Sequence, residues 1–291
     1  MSLQTRPRTM GVQTIGKVRI EPNRAMADVN KRARRDKVLQ IALGFMIPVL
    51  GLILWEVAGQ NNWIDVRFFS SPSAIFARFL DDMGENLIFP ELWITVQRLL
   101  WGYVIGALAG IIIGLLMSQI TVIRWALEPL IRALYVIPKL ALLPIFLLLF
   151  GLGEFPKILF VALGTFYIVA FTTLAAAMMI PTPYHEVARS YGLSWPQRFR
   201  WLVIPASTPQ IVSSLKLASG ISMLLVIAVE FVQAREGLGY YTWHAWELFI
   251  PDRMYVGIVL ISLLGVSFSL IVGAIGSRAT RWADSEYNQS R

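Results

Sequence analysis

The chain has 291 residues, of which 56% are hydrophobic and only 15% charged, with a mean hydropathy of +0.60. A soluble domain carries roughly a quarter charged residues, so this balance disfavours a water-soluble globule and favours a chain embedded in a bilayer. The absence of cysteine rules out disulfides, thiolate metal sites and a cysteine nucleophile, and two histidines leave little for catalysis. A net charge of +8 and a pI near 9.9 would suit nucleic acid in a soluble protein, but in a membrane chain basic residues first report orientation, and no nucleic-acid partner is expected.

From the first residue to about Asn30 the sequence is polar and without apolar periodicity, which predicts a mostly disordered basic tail, taken as cytoplasmic over residues 1–38. The cluster Lys31, Arg32, Arg34, Arg35 and Lys37 precedes an apolar run with no small-residue cleavage pattern, so this is not a signal peptide. Six apolar runs follow, at 39–59, 99–118, 126–150, 158–180, 210–232 and 255–277, each near the roughly 20 residues that cross a hydrocarbon core. They predict an all-α polytopic membrane protein with a permease domain over 39–282 and a short cytoplasmic tail over 283–291. The third run is interrupted by Arg132, Pro138, Lys139 and Pro144. Such a helix survives at membrane depth only where protein or a watery cavity satisfies its backbone.

Basic residues discriminate between topologies. With six crossings and both termini in the cytoplasm, seventeen of the 26 Lys and Arg lie inside, five outside and four in or beside spans. Without the third crossing the division falls to fourteen against eight, so the positive-inside rule prefers six. Between the first two spans, Pro72, Ala74, Ile75, Phe76, Phe79 and Leu80 alternate with Arg78, Asp81 and Asp82, predicting a short amphipathic surface helix.

Gly102, Gly106, Gly110 and Gly114 fall on one face of the second span at four-residue spacing. Another helix can approach that face closely, either as static packing or as a sliding surface. Ionisable residues in or beside spans are candidates for the translocation pathway or its gate: Arg98, Lys139, Lys216 and Glu230. Cations facing a cavity would offset the desolvation of an anion; the simpler alternative is snorkelling to headgroups. Glu230 and Lys216 are 14 residues, or about 21 Å, apart on one helix and cannot pair with each other. Neither His185 nor His244 belongs to a metal-binding pattern, and no glycine-rich loop ending in Lys-Ser/Thr is present. No catalytic or metal site is therefore expected. Trp243, Trp246, Tyr240 and Tyr241 cluster after the fifth span, where such rings favour the water-lipid boundary.

The most informative stretch joins spans four and five. Thr182 is placed to cap and Pro183 to open a short helix, with Glu186 in its early turns and Gly192 to end it in a left-handed conformation. Ser194 and Pro196 start a second helix that Pro205 is expected to stop. The result is a compact helix-turn-helix lug, with Val187, Tyr191, Leu193, Phe199 and Leu202 available to pack.

Within that lug, Glu186-Val187-Ala188, three residues, Gly192, nine residues and Leu202-Val203-Ile204-Pro205 resemble the EAA loop of permease subunits in bacterial ABC importers. Leu143-Pro144-Ile145, Phe150-Gly151-Leu152-Gly153-Glu154 with Lys157, Glu230, and Gly237-Leu238-Gly239-Tyr240 are similar to the branch that imports nitrate, sulfonates and taurine. The resemblance implies a dimeric permease for a small anion such as a sulfonate, taurine, nitrate or bicarbonate, with two cytoplasmic ATPases beneath and a periplasmic or lipid-anchored solute-binding protein outside. It implies that Glu186, Val187, Ala188, Arg189, Gly192, Leu193 and Pro205 couple the chain to the ATPase, and that ATP and Mg bind the ATPase, leaving this chain without a cofactor. A neutral pyrimidine-type solute is the alternative within the family. An ion-gradient-driven transporter is the alternative outside it, and would call for inverted repeats and midplane ion sites.

Overall fold

The computed structural model describes residues 13–15, 18–20 and 24–282, in two compact units, residues 1–64 and 65–291. In the first unit, β1 (Gln13–Ile15) pairs antiparallel with β2 (Val18–Ile20), and α1 runs from Arg24 to Gln60. The helix carrying the first apolar run thus begins ahead of residue 39: Ala25, Met26, Ala27 and the following Arg and Lys residues are good helix formers and extend it into the basic segment. The rest of the expected tail, and all of 283–291, lies outside the described residues.

The second unit is helical throughout its described residues. A four-residue turn, α2 (Val66–Phe69), leads into α3 (Pro72–Gly84), the expected amphipathic helix. Ser71 caps α3 by accepting the Ala74 N–H at 3.3 Å, and Pro72 occupies its first turn. Next come α4 (Ile88–Gln119), α5 (Thr121–Val136), α6 (Lys139–Phe150) and α7 (Glu154–Met178). The lug follows as α8 (Thr182–Ser190) and α9 (Trp195–Arg198); a π-helical turn at Phe199–Val203 joins it to α10 (Ile204–Gln233). The unit closes with α11 (Leu238–Glu247) and α12 (Pro251–Ala279).

Among the described residues, five helical stretches are long and apolar enough to span a membrane. The third predicted span is broken: the segments 121–134 and 139–150 meet at 104°. Ile137 precedes Pro138 and is extended (φ −64°, ψ 130°), because proline's ring disfavours the α-conformation in the residue before it.

The core of the unit is the α4–α7 pair. All four glycines of the α4 stripe face α7, where an added Cβ would lie 2.6 Å from Val161 at Gly102, 2.8 Å from Val169 at Gly110 and 2.7 Å from Thr173 at Gly114; at Gly106 it would strike the Ala162 carbonyl oxygen. α10 packs against the same pair: Val161 and Val169 of α7, Leu225, Val226 and Val229 of α10 and Leu99 of α4 form one buried cluster. The hydroxyls of Thr165 and Ser222 bond across that interface at 2.7 Å, an interhelical polar contact of the sort membrane bundles use in place of a hydrophobic drive. Tyr103 ties α4 to α10 by donating to the Leu215 carbonyl at 2.9 Å.

Candidate functional site

The lug is two short helices closed by local hydrogen bonds. α8 starts at Thr182 with Pro183 in its first turn; Pro181, not Thr182, is its N-cap, and no side chain caps it. At its far end the Leu193 N–H donates to the Ala188 carbonyl at 3.1 Å and the Gly192 N–H to the Arg189 carbonyl at 2.8 Å, the paired bonds of a Schellman turn. Gly192 sits at φ +67°, with open space where a side chain would go, so glycine is needed there for backbone conformation rather than for room. The second helix opens on a capping box in which the Ser194 N–H donates to the Gln197 side chain at 2.8 Å.

Pro205 does not stop this helix. It lies in the first turn of α10, and the five-residue π-turn before it shifts the hydrogen-bond register so that the missing proline N–H breaks nothing. The helix therefore runs unbroken from Trp195 to Gln233. Ala188 is buried, and Val203 joins Leu115, Ala177, Ile180 and Ile211 in a small core with Phe199 and Leu202 packed against it. Tyr184, Val187 and Tyr191, spaced to share one face of α8, are instead exposed, beside exposed Glu186 and Arg189.

At the opposite end of the bundle, about 36 Å away along the 25 residues of α7, a knot of charge is built on α4. Glu91, Thr95 and Arg98 lie on one face of α4 and grip the turn between α10 and α11. Arg98, only 2% exposed, donates through Nη1 to Glu230 Oε1 at 2.8 Å and to the Glu236 carbonyl at 2.7 Å. Its Nε and Nη2 make a fork to the Glu154 carboxylate at 2.6 and 2.8 Å. Lys157 Nζ donates to the same Glu154 at 2.7 Å. Fully buried Glu230 also accepts the Gly239 N–H at 2.8 Å, and the Thr95 hydroxyl lies 3.0 Å from each of its oxygens while accepting the Leu238 N–H at 2.8 Å. The Gly237 N–H donates to the Glu91 carboxylate. Gly237 (φ +112°) and Gly239 leave no space for a Cβ, because Glu230 fills it.

A second cluster anchors α3. Asp82, with a fully buried side chain, accepts from Arg253 at 2.5 and 2.9 Å and from the Tyr241 hydroxyl at 2.5 Å, with Arg78 at 3.9 Å. Burial pushes the Asp82 carboxyl up, but the hydrogen bonds from Arg253 and Tyr241 and the charges of Arg253 and Arg78 outweigh it and hold it below the ordinary carboxylate value.

The sequence-nominated pathway residues do not converge on one place. Arg98 and Glu230 are brought together, across two helices rather than along one. Lys139 opens α6 close to Gly164 of α7, and Lys216 lies on the exposed side of α10 near Gly273 of α12. Glu91, Thr95, Glu154 and Lys157 were not nominated. The i, i+4, i+7 spacing of Glu91, Thr95 and Arg98 was a visible signal, as was the pair Glu154 and Lys157 opening an apolar run. Trp243 packs tilted against Phe231 and Trp246, and Tyr240 stacks on His244 at 5.2 Å, so the aromatic cluster is organised on α11. Among the described residues no group of three or more His, Cys, Asp or Glu is placed to hold a metal.

Residues 103–281 match the family described as "Binding-protein-dependent transport system inner membrane component". The chain belongs to this permease family. The permease is 33% identical to a protein named as an aliphatic sulfonates transport permease, SsuC, of Escherichia coli over 231 residues, covering 78% of this chain and 86% of that one. It is 27% identical to the taurine transport system permease protein TauC of the same organism over 248 residues, 84% and 90% of the two chains, and 30% identical to the nitrate import permease protein NrtB of Leptolyngbya laminosa over 191 residues, 66% and 68%. Its fold is similar to that in an inward-facing crystal form of the MetNI methionine ABC transporter (TM-score 0.54, 21% identity, covering 65% of the permease and 92% of that chain). An amino acid ABC transporter solved with histidines is similar too (TM-score 0.55, 21% identity, 70% and 97%). The permease is thus a multi-pass membrane protein, an inner-membrane component of binding-protein-dependent transport, and the lug lies wholly within the matched stretch.

Proposed function

We propose that this permease is the non-catalytic transmembrane subunit of an ATP-driven importer for a small anion of the sulfonate, taurine, nitrate or bicarbonate kind, and that it works by alternating access as a homodimer. Two ATPase subunits that bind ATP and Mg sit on the lug side, and a solute-binding protein docks at the opposite end. Both termini and the lug face the cytoplasm, and the bent α5–α6 pair crosses once, in keeping with the distribution of basic residues.

The observation that carries this reading is the unbroken helix from the lug into α10. Tyr184, Val187 and Tyr191 offer an ATPase an apolar face rimmed by Glu186 and Arg189, while the buried side of the lug is locked to the cores of α4, α7 and α10. A push on that face is delivered to α10 as a rigid-body tilt, without loss in a flexible joint. Nucleotide then biases a two-state equilibrium, because the ATPase grips the lug differently when closed.

The test is transport in proteoliposomes holding the permease, its ATPases and its binding protein, with labelled taurine and nitrate as cargo. Gly192→Asp places a charged side chain at the left-handed turn residue, on the exposed surface of the lug. Glu186→Lys reverses charge on the docking rim. Both variants insert normally and lose uptake while hydrolysis persists or the ATPase dissociates. Full uptake together with undiminished ATPase binding in either variant refutes the reading, as does uptake without any ATPase.

A further inference from the structure

The cleft beside the charge knot has a volume of about 570 Å³ and is lined by Arg98, Glu154, Lys157, Leu152 and the segment 232–236. Two features set it apart from an ordinary ion-pair network. Its two inner cations are nearly inaccessible, Arg98 at 2% and Lys157 at 5%, whereas the carboxylate that neutralises both, Glu154, has a side chain 53% exposed at the mouth of the cleft. Arg98 is also held from behind, since Nη1 bonds to Glu230 and the Glu236 carbonyl whatever Glu154 does.

Building on the anion-permease reading above, we propose that this cleft binds a small oxyanion and that Glu154 is a built-in stand-in for it. When Glu154 swings out, Arg98 Nε and Nη2 and Lys157 Nζ are left converging on one point, three charge-assisted donors now satisfied at 2.6 to 2.8 Å by carboxylate oxygens. A sulfonate or nitrate presents two oxygens to such a fork much as a carboxylate does. Arg98 and Lys157 both meet Glu154 directly, so its departure leaves the Lys157 ammonium and two donor nitrogens of Arg98 without their carboxylate in a nearly buried place, a loss that an incoming anion makes good. On the rim, exposed Arg235 and exposed Glu236 offset each other, so the attraction comes from the inner donors. The departure is locally easy. Glu154 is the first residue of α7, and the preceding Gly151 (φ +80°) and Gly153 have nothing within 4 Å of where a Cβ would be. The site is thus an oxyanion receiver at the binding-protein end, closed by the chain's own carboxylate until cargo arrives.

The test uses the full-length permease in phosphatidylcholine nanodiscs, titrated with ¹³C-methanesulfonate and followed by saturation-transfer NMR, with neutral dimethyl sulfone as control. Glu154→Gln removes the competing charge and tightens methanesulfonate binding about tenfold; Lys157→Gln weakens it about tenfold, and dimethyl sulfone binds neither. Native mass spectrometry on nanodiscs supplemented with phosphatidylglycerol separates free anion from lipid headgroup. Retention of that lipid on the wild-type chain, undisplaced by methanesulfonate, would overturn the cargo site, and so would a Glu154→Gln affinity no tighter than wild type. Should Lys157→Gln misfold, Glu154→Gln alone still decides. ATP-dependent uptake with no such binding pattern sinks this proposal and leaves the importer intact; the binding pattern with ATPase-independent uptake does the reverse.

Discussion

Replacing Gly106 by alanine tests whether α4 and α7 move as one body. An added Cβ at Gly106 meets the Ala162 carbonyl oxygen and lies 2.7 Å from Thr165 Cβ. Ordinary carbon–carbon contact is about 3.5–4.0 Å, so the helices must part locally by about 1 Å. A gap of that size forfeits roughly a quarter to a half of the attraction between each pair of facing atoms, and overpacking of a tight interface costs about 1–3 kcal/mol. Gly220→Ala on α10 is the matched control, because it adds the same methyl to an exposed helical position with nothing within 4 Å. Any gain in helix propensity is common to both and cancels. Unfolding of the purified chain in mixed micelles, titrated with dodecyl sulfate and followed by far-ultraviolet circular dichroism, should therefore separate the two variants by about 1–3 kcal/mol, with Gly106→Ala the less stable. Equal stability would refute the packed, static pairing and favour a surface on which the helices slide.

The Asp82 cluster makes a prediction in pH. A carboxyl held below its unfolded-chain value contributes stability that is fully present above about pH 4 and is lost as the pH falls through the lower folded-state value. Wild-type stability should then decline below about pH 4, whereas Asp82→Asn, less stable by about 2 kcal/mol at pH 7, should lose that part of the decline; parallel pH profiles would contradict it. Glu230→Gln leaves Arg98 with one carboxylate and Gly239 with a weaker acceptor, and breaking a buried pair costs about 3–5 kcal/mol. Its yield of folded permease and its uptake should both fall sharply, and wild-type values for both would dismiss Glu230 as the anchor of the α10–α11 turn.

Much of the architecture was legible in the chain alone, because a bilayer leaves few choices: apolar runs of about 20 residues must be helices, and a ridge of four glycines must meet another helix. The lug was legible for a different reason. Its turn needs a residue that tolerates φ +67° and its second helix a Ser-x-x-Gln box, and both are local demands written in consecutive residues. Pro205 was misread as a stop, since a π-turn that rescues the register leaves no mark in composition.

The partners of Arg98 lie 56 and 132 residues away in sequence, and no periodicity on one helix announces them. Single-span reasoning could note that Glu230 and Lys216 do not reach each other, yet only the packing of α4 against α7 and α10 supplied Glu230 with its cation and made Gly237 and Gly239 the residues that let the turn close over it. Local backbone rules and hydrophobic length act along the chain and can be read there. The neutralisation of buried charge depends on which distant side chains arrive at the same point, and that was decided by how the helices pack.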